Sequence, residues 1–91
     1  MEIINNMENY QVIRQWIRGF GAENFGSNGE ATLSTDGRDL YSYKLKIGYT
    51  TEKGNKVVKL YNAKSGNFKT RTTSKHVSMA VKQADRTIIP E

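Results

Sequence analysis

The stretch Leu40-Tyr41-Ser42-Tyr43-Lys44-Leu45-Lys46-Ile47-Gly48-Tyr49 decides how this chain is read. Tyr41, Tyr43, Leu45, Ile47 and Tyr49 alternate with Ser42, Lys44, Lys46 and Gly48. Successive side chains of a β-strand point to opposite faces, so the alternation predicts one continuous strand over 40–49, apolar on one face and basic on the other. Just upstream, Thr35-Asp36-Gly37-Arg38 is a hairpin signal, because Asp-Gly tolerates the positive φ angles of a two-residue turn. That hairpin would set Leu33 opposite Leu40 and away from Tyr41. A bulge near Leu40 or a longer turn would bring the faces into agreement, and the sequence does not choose between them.

Strands are expected from Ala31 onward. Glu52-Lys53-Gly54-Asn55 is a second turn, followed by a strand over 56–61. Residues 62–67, with Gly66, make a third turn, and a last strand runs from Phe68 to Thr72. Thr73-Ser74 then offers a helix cap, and Val77, Ala80, Val81 and Ala84 form the apolar stripe of a short helix ending near Asp85. Residues 86–91 read as a tail that frays or runs along the surface. At the other end, residues 6–20 read as a helix capped by Asn5 or Asn6, with Glu8 in its first turn. Met7, Tyr10, Ile13, Ile17 and Phe20 form its stripe, widened by Val12 and by Trp16, which is read as core. Arg14 and Arg18 lie on another face, read as solvated, and Gly19 and Gly21 stop the helix. Residues 22–30 read as loop, with Phe25 as an anchor. The expected fold is α+β: an N-terminal helix, a four-stranded antiparallel meander and a C-terminal helix, the helices covering the apolar face of the sheet.

With 91 residues the chain makes one domain, with its core over 6–85. Leu, Ile, Val and Phe supply 19 of these residues, just above the roughly 20% below which chains tend to be disordered, so the core is thin. There is no cysteine, which removes disulfides, thiolate metal sites and thiol chemistry, and fits a reducing interior. No apolar run approaches the roughly 18 residues of a membrane span, and the N-terminus lacks the pattern of a signal peptide. The cytoplasm is the expected compartment. The net charge of +5 favours an acidic partner, either nucleic acid or an acidic protein surface. Solubility alone is the alternative, since small domains commonly carry a net charge of roughly 2 to 8.

Catalysis is hard to build from these residues. The single histidine, His76, has no cysteine partner and no carboxylate near it in sequence, and one histidine cannot make a typical zinc site. The carboxylates are scattered, and Gly19-x-Gly21 follows a helix and lacks a third glycine. A protein that is not an enzyme and holds no cofactor or metal is expected. The binding residues come from the alternation. If Tyr41 to Tyr49 mark the core face, Lys44 and Lys46 point outward. If Val58 and Leu60 face inward, Lys59, Val57 and Tyr61 point outward, and with Phe68 inward Lys69 and Arg71 do too. One face would then carry Lys44, Lys46, Lys59, Lys69 and Arg71 around Tyr61, the composition that phosphate neutralisation and base stacking need. The alternative is a face solubilised by lysine, which also blocks edge pairing. A second candidate is Thr72-Thr73-Ser74-Lys75-His76, where Ser74, Lys75 and His76 at a helix start could seat a phosphate or carboxylate. The alternative there is an ordinary cap with His76 packed at the helix edge.

Leu40-Tyr41-Ser42-Tyr43 followed by Thr72-Thr73-Ser74-Lys75-His76 resembles a family of small proteins common in bacteriophages, whose members look like "LxSYxTxIA … YSxTTSxH". The resemblance covers roughly residues 32–82. Lys44-Leu45-Lys46-Ile47-Gly48 departs from the usual threonine and alanine pattern, and Asn67-Phe68-Lys69 from the usual tyrosine–serine. It implies a phage or mobile-element origin, hence a host cytoplasm, and no particular substrate, since the family has no established function. Small phage proteins without catalytic apparatus often bind host machinery, including immune nucleases, so counter-defence is an expectation the resemblance carries. The topology is also similar to that of double-stranded-RNA-binding domains, with one strand more and a single lysine at the second helix. Two classes of function follow. One is a small basic module acting on nucleic acid or on a host nucleic-acid-handling complex. The other is a protein–protein module using Val57, Tyr61, Phe25 and Trp16, including a homodimer made by the first helix.

Overall fold

The computed structural model describes residues 8–25, 29, 31–61 and 70–89. They form helix α1 (Asn9–Arg18), strands β1 (Gly21–Phe25), β2 (Ala31–Asp36), β3 (Leu40–Ser42), β4 (Leu45–Thr50) and β5 (Lys56–Lys59), helix α2 (Arg71–Val81) and strand β6 (Arg86–Ile88). The sheet runs in sequence order from β1 to β6, antiparallel except for the parallel pair β5–β6. The α+β class stands. The four-stranded antiparallel meander does not: the described residues make a six-stranded mixed sheet with two helices.

The stretch 40–49 is not one strand. It folds back at Tyr43-Lys44, and Ser42 pairs with Leu45 across the turn. Tyr43 takes the left-handed φ of 58° that this reversal needs, a conformation that costs a residue with a side chain about 1–2 kcal/mol. A bulge then lies between Leu40 and Tyr41 in the β3–β4 pairing: Leu40 stands opposite Gly48 but Tyr41 opposite Lys46, so Ile47 is the extra residue. Leu40, Ser42, Ile47 and Gly48 are buried. Tyr41, Lys46 and Tyr49 therefore turn to the opposite face, the reverse of the alternating reading for the tyrosines.

The register conflict between Leu33 and Leu40 resolves in the same way. The turn after β2 has four residues, Asp36 to Asp39, because Thr35 pairs with Leu40 and Leu33 with Ser42. Asp36 Oδ1 accepts from the N–H groups of Arg38 and Asp39, both at 2.9 Å, which closes the turn and holds the Asp36 carboxyl below its ordinary pKa.

Three other segments differ from expectation. Residues 21–25, read mostly as loop, form edge strand β1, docked through Asn24. Asn24 donates to Asn9 Oδ1 on α1, and its own Oδ1 accepts from Thr32 Oγ1 and the Leu33 N–H. The last helix starts earlier than Thr73-Ser74. Thr70 is its cap, its hydroxyl accepting from the Thr73 N–H at 3.0 Å, so Arg71 and Thr72 are helical. The turn at 62–67, Phe68 and Lys69 lie outside the described residues. The tail is a strand: β6 lies parallel to β5, and Asp85 fixes it by exchanging 2.7 and 2.8 Å bonds with the Lys56 backbone. A parallel pair needs a crossover, which α2 supplies.

At the other end, Glu8 occupies the cap position of α1, its N–H donating to Gln11 Oε1 at 2.8 Å. Asn5 and Asn6 lie outside the described residues. The buried face is Val12, Ile13 and Trp16, whereas Tyr10 and Phe20 are exposed. Both helices feed one core with Leu33, Leu40, Ile47, Val58, Val77 and Ala80, so both lie on the same face of the sheet. Trp16 is its centre. Its indole donates to Arg38 O at 2.8 Å, and the ring lies against Gly48, where an added Cβ would stand 3.0 Å from it. Lys56 Nζ lies 5.4 Å from the ring centroid.

Lys56 was not singled out in the sequence, yet it is buried. Its Nζ donates to Gly37 O at 3.0 Å and to Thr50 Oγ1 at 2.7 Å. Burial, then the charge of Arg38, lowers its pKa from the ordinary lysine value.

Gly37 combines a φ of 102° with a close approach: an added Cβ would lie 2.5 Å from Gly19 O. Gly54 has a similar φ of 88° with open space around it. Gly37→Ala should therefore cost at least roughly 2 kcal/mol and lower Tm by about 10 °C, while Gly54→Ala costs about 1 kcal/mol. Thermal and urea unfolding of the two variants checks this; equal losses would show that the contact with Gly19 carries no weight.

Candidate nucleic-acid interface

The face of the sheet opposite the helices is covered by no described helix. Alternation and register set its residues. In β3 and β4, Tyr41 stands opposite Lys46. One same-face step further along β4, past the bulge, Tyr49 stands opposite Val57 of β5, which stands beside Arg86 of β6. Lys59 follows on β5, beside Ile88. Tyr41, Lys46, Tyr49 and Lys59 are half-buried, and Arg86 is exposed. Two carboxylates border the face. Glu23 pairs in register with Ser34, which pairs with Tyr41. Asp39 Oδ2 lies 3.3 Å from Lys46 Nζ and 3.5 Å from the Tyr41 hydroxyl.

The expected basic face is thus only partly assembled. Lys46 and Lys59 lie on it. Lys44 sits exposed in the β3–β4 turn. Arg71 is on α2, on the other side of the sheet, and Lys69 lies outside the described residues. Tyr61 is not an outward stacking residue; it packs, half-buried, against the core cluster. Tyr41 and Tyr49, read as core, take its place, and Arg86, read as tail, joins them. The signal for Arg86 was the run Arg86-Thr87-Ile88-Ile89, whose β-branched residues favour a strand.

The second candidate comes apart because α2 begins at Arg71. The Ser74 N–H already donates to Thr70 O at 2.9 Å, and the Thr73 N–H to the Thr70 hydroxyl. These amides offer nothing to an anion. Lys75 is exposed in the second turn. His76 is 1% exposed, not at a surface. Its Nδ1 shares a 2.8 Å hydrogen bond with Ser42 Oγ, which lies 2.9 Å from Thr73 Oγ1. The two motifs of the sequence, Leu40 to Tyr43 and Thr72 to His76, meet in this cluster. Ser42 is likewise 1% exposed, so a carbonyl could reach its hydroxyl only if the core opened. The outer turns of the helices are basic: Arg14, Arg18, Arg71, Lys75 and Lys82 are exposed, and neither helix contains an aspartate or glutamate.

Trp16 is buried in the core, as its reading as a core residue has it, and Val57 is 2% exposed, so neither offers the docking surface that the protein–protein alternative gave them. Phe25 is partly exposed. Among the described residues no cluster of three or more His, Cys, Asp or Glu side chains could hold a metal, and no helix is long and apolar enough to cross a membrane. Searches of protein-family models, curated proteins and solved structures gave no match to the chain.

Burial, then the charge of Lys75, pushes His76 down from 6.5 to about 4. The unfolded chain therefore binds the proton more readily than the folded one. As far as His76 contributes, stability should be constant above pH 6.5, fall as pH drops from 6.5 to about 4, and level off below that. The loss attributable to this residue is about 3 kcal/mol. Urea unfolding across this range checks the prediction against His76→Gln, whose profile should be flatter; parallel profiles would remove His76 as the cause.

Proposed function

We propose that this protein is a non-catalytic nucleic-acid-binding module acting in the cytoplasm. The observation that carries the reading is the placement of its charge. Lys46, Lys59 and Arg86 surround Tyr41 and Tyr49 on a face that no described helix covers. On the opposite side, the exposed helix residues add Arg14, Arg18, Arg71, Lys75 and Lys82. Among the described residues the one ion pair is Lys46–Asp39, so most of these cations are not neutralised within the fold. Phosphates provide the matching charge, and release of their counterions provides the driving force. The resemblance of the Leu40–Tyr43 and Thr72–His76 motifs to phage proteins supports a host setting, in which a competitor for nucleic acid would interfere with nucleic-acid-handling machinery. The competing class, a protein–protein module, has less support, because two of its four anchor residues, Trp16 and Val57, are almost fully buried.

Fluorescence anisotropy with labelled DNA and RNA, single- and double-stranded, tests the reading. Binding should weaken roughly 20-fold between about 50 mM and about 200 mM salt if three phosphates on a single strand are neutralised. Lack of binding to every probe at the lower salt would overturn it and direct attention to an acidic protein surface.

A further inference from the structure

The geometry points to a more specific ligand: we infer that the face bearing Tyr41 and Tyr49 takes single-stranded nucleic acid, with a base stacked on each tyrosine. This rests on the nucleic-acid reading above and adds the site and the class of strand.

The sheet places the two rings on adjacent strands. Tyr41 stands opposite Lys46, and Tyr49 is the next residue of β4 on that face. Diagonal neighbours of this kind lie roughly 7–8 Å apart, close enough for consecutive bases of one extended strand. Both side chains are half-buried, so their bases are held by packing while a surface remains for contact. Lys46 and Lys59 are on the same face, and Arg86 continues the row from Tyr49 through Val57. Cations bordering aromatic rings match a strand whose phosphates and bases are both accessible. In a duplex the bases are already stacked on one another, so their faces are not offered to a tyrosine ring. The helix side carries cations too, but within α1 and α2 the exposed aromatic is Tyr10, and Phe20 follows just past the end of α1, so no two rings stand on neighbouring strands there.

Asp39 gives the site an internal competitor. Its carboxylate holds Lys46 at 3.3 Å and lies beside the Tyr41 hydroxyl. A phosphate arriving at Lys46 must displace it. Removing that charge without changing shape should strengthen binding.

The test uses the full chain with short fluorescein-labelled oligothymidine and the matching duplex at about 50 mM salt. The single strand should bind at least tenfold more tightly than the duplex. Tyr41→Leu and Tyr49→Leu should each weaken single-strand binding about tenfold, with Tm measured alongside. Asp39→Asn should tighten it several-fold, and Arg14→Glu with Lys82→Glu should change it less than either tyrosine variant. If a leucine variant does not fold, ultraviolet cross-linking of wild-type protein to a bromodeoxyuridine strand replaces it, and adducts should fall on Tyr41 or Tyr49. Duplex bound as tightly as single strand, folded tyrosine variants that bind like wild type, or adducts confined to the helices would each overturn the inference while leaving nucleic-acid binding intact. Failure to bind either probe would overturn both.

Discussion

Trp16 is the point on which the structure turns. Its indole reaches Arg38 O, its ring rests on Gly48, and Lys56 stands over it. Thr50 Oγ1 donates to the same Arg38 carbonyl, and Lys56 reaches Gly37 O, so α1, the turn after β2, β4 and β5 are held by one polar network around one ring. A large aromatic with a satisfied N–H is an efficient anchor for a thin core, because it brings much apolar area and one directional bond together. The consequence extends to the other face. Gly48 must face Trp16, the bulge turns Ile47 inward beside it, and the two residues flanking this pair, Lys46 and Tyr49, are left to point away.

The class of the fold was legible in the sequence, and so were the helix around Trp16 and the turns at Asp36-Gly37 and Glu52 to Asn55. The 40–49 stretch misled because tyrosine suits either face of a sheet. Tyr41, Tyr43 and Tyr49 extended the true apolar signal of Leu45 and Ile47 into a false straight strand. The polar residue that belongs inside, Ser42, is satisfied by Thr73 and His76, 31 and 34 positions away. No local pattern reports such a partner. The conflict between Leu33 and Leu40 was the one sequence clue, and it marked the region where the face changed. The start of the second helix misled in a similar way: the sequence reads with Thr72 as the end of a strand and Thr73-Ser74 as the cap, whereas Thr70, three positions before Thr73, is the residue that caps the helix.

The candidate site was legible in kind and not in place. A basic surface with aromatics was expected, and Lys46 and Lys59 belong to it. Its rings and its third cation come from residues assigned elsewhere, since one change of face exchanges every side chain of a strand. The Ser42–Thr73–His76 cluster shows the opposite relation. Its residue types suggest chemistry, while its burial and the depressed pKa of His76 suit a neutral structural bond between sheet and helix.

The crossover from β5 through α2 to β6 also makes one strand pairing more remote in sequence than the others. Strands β1 to β5 each pair with the next strand in sequence, whereas Val57 and Arg86 meet across 29 positions. Without β6, strand β5 would be an edge with its outer hydrogen-bonding groups unpaired. Such an edge is a template for pairing with a second chain. The short segment Arg86–Ile88, held in place by the bonds of Asp85 to the Lys56 backbone, thus occupies an edge that would otherwise be open to a second chain.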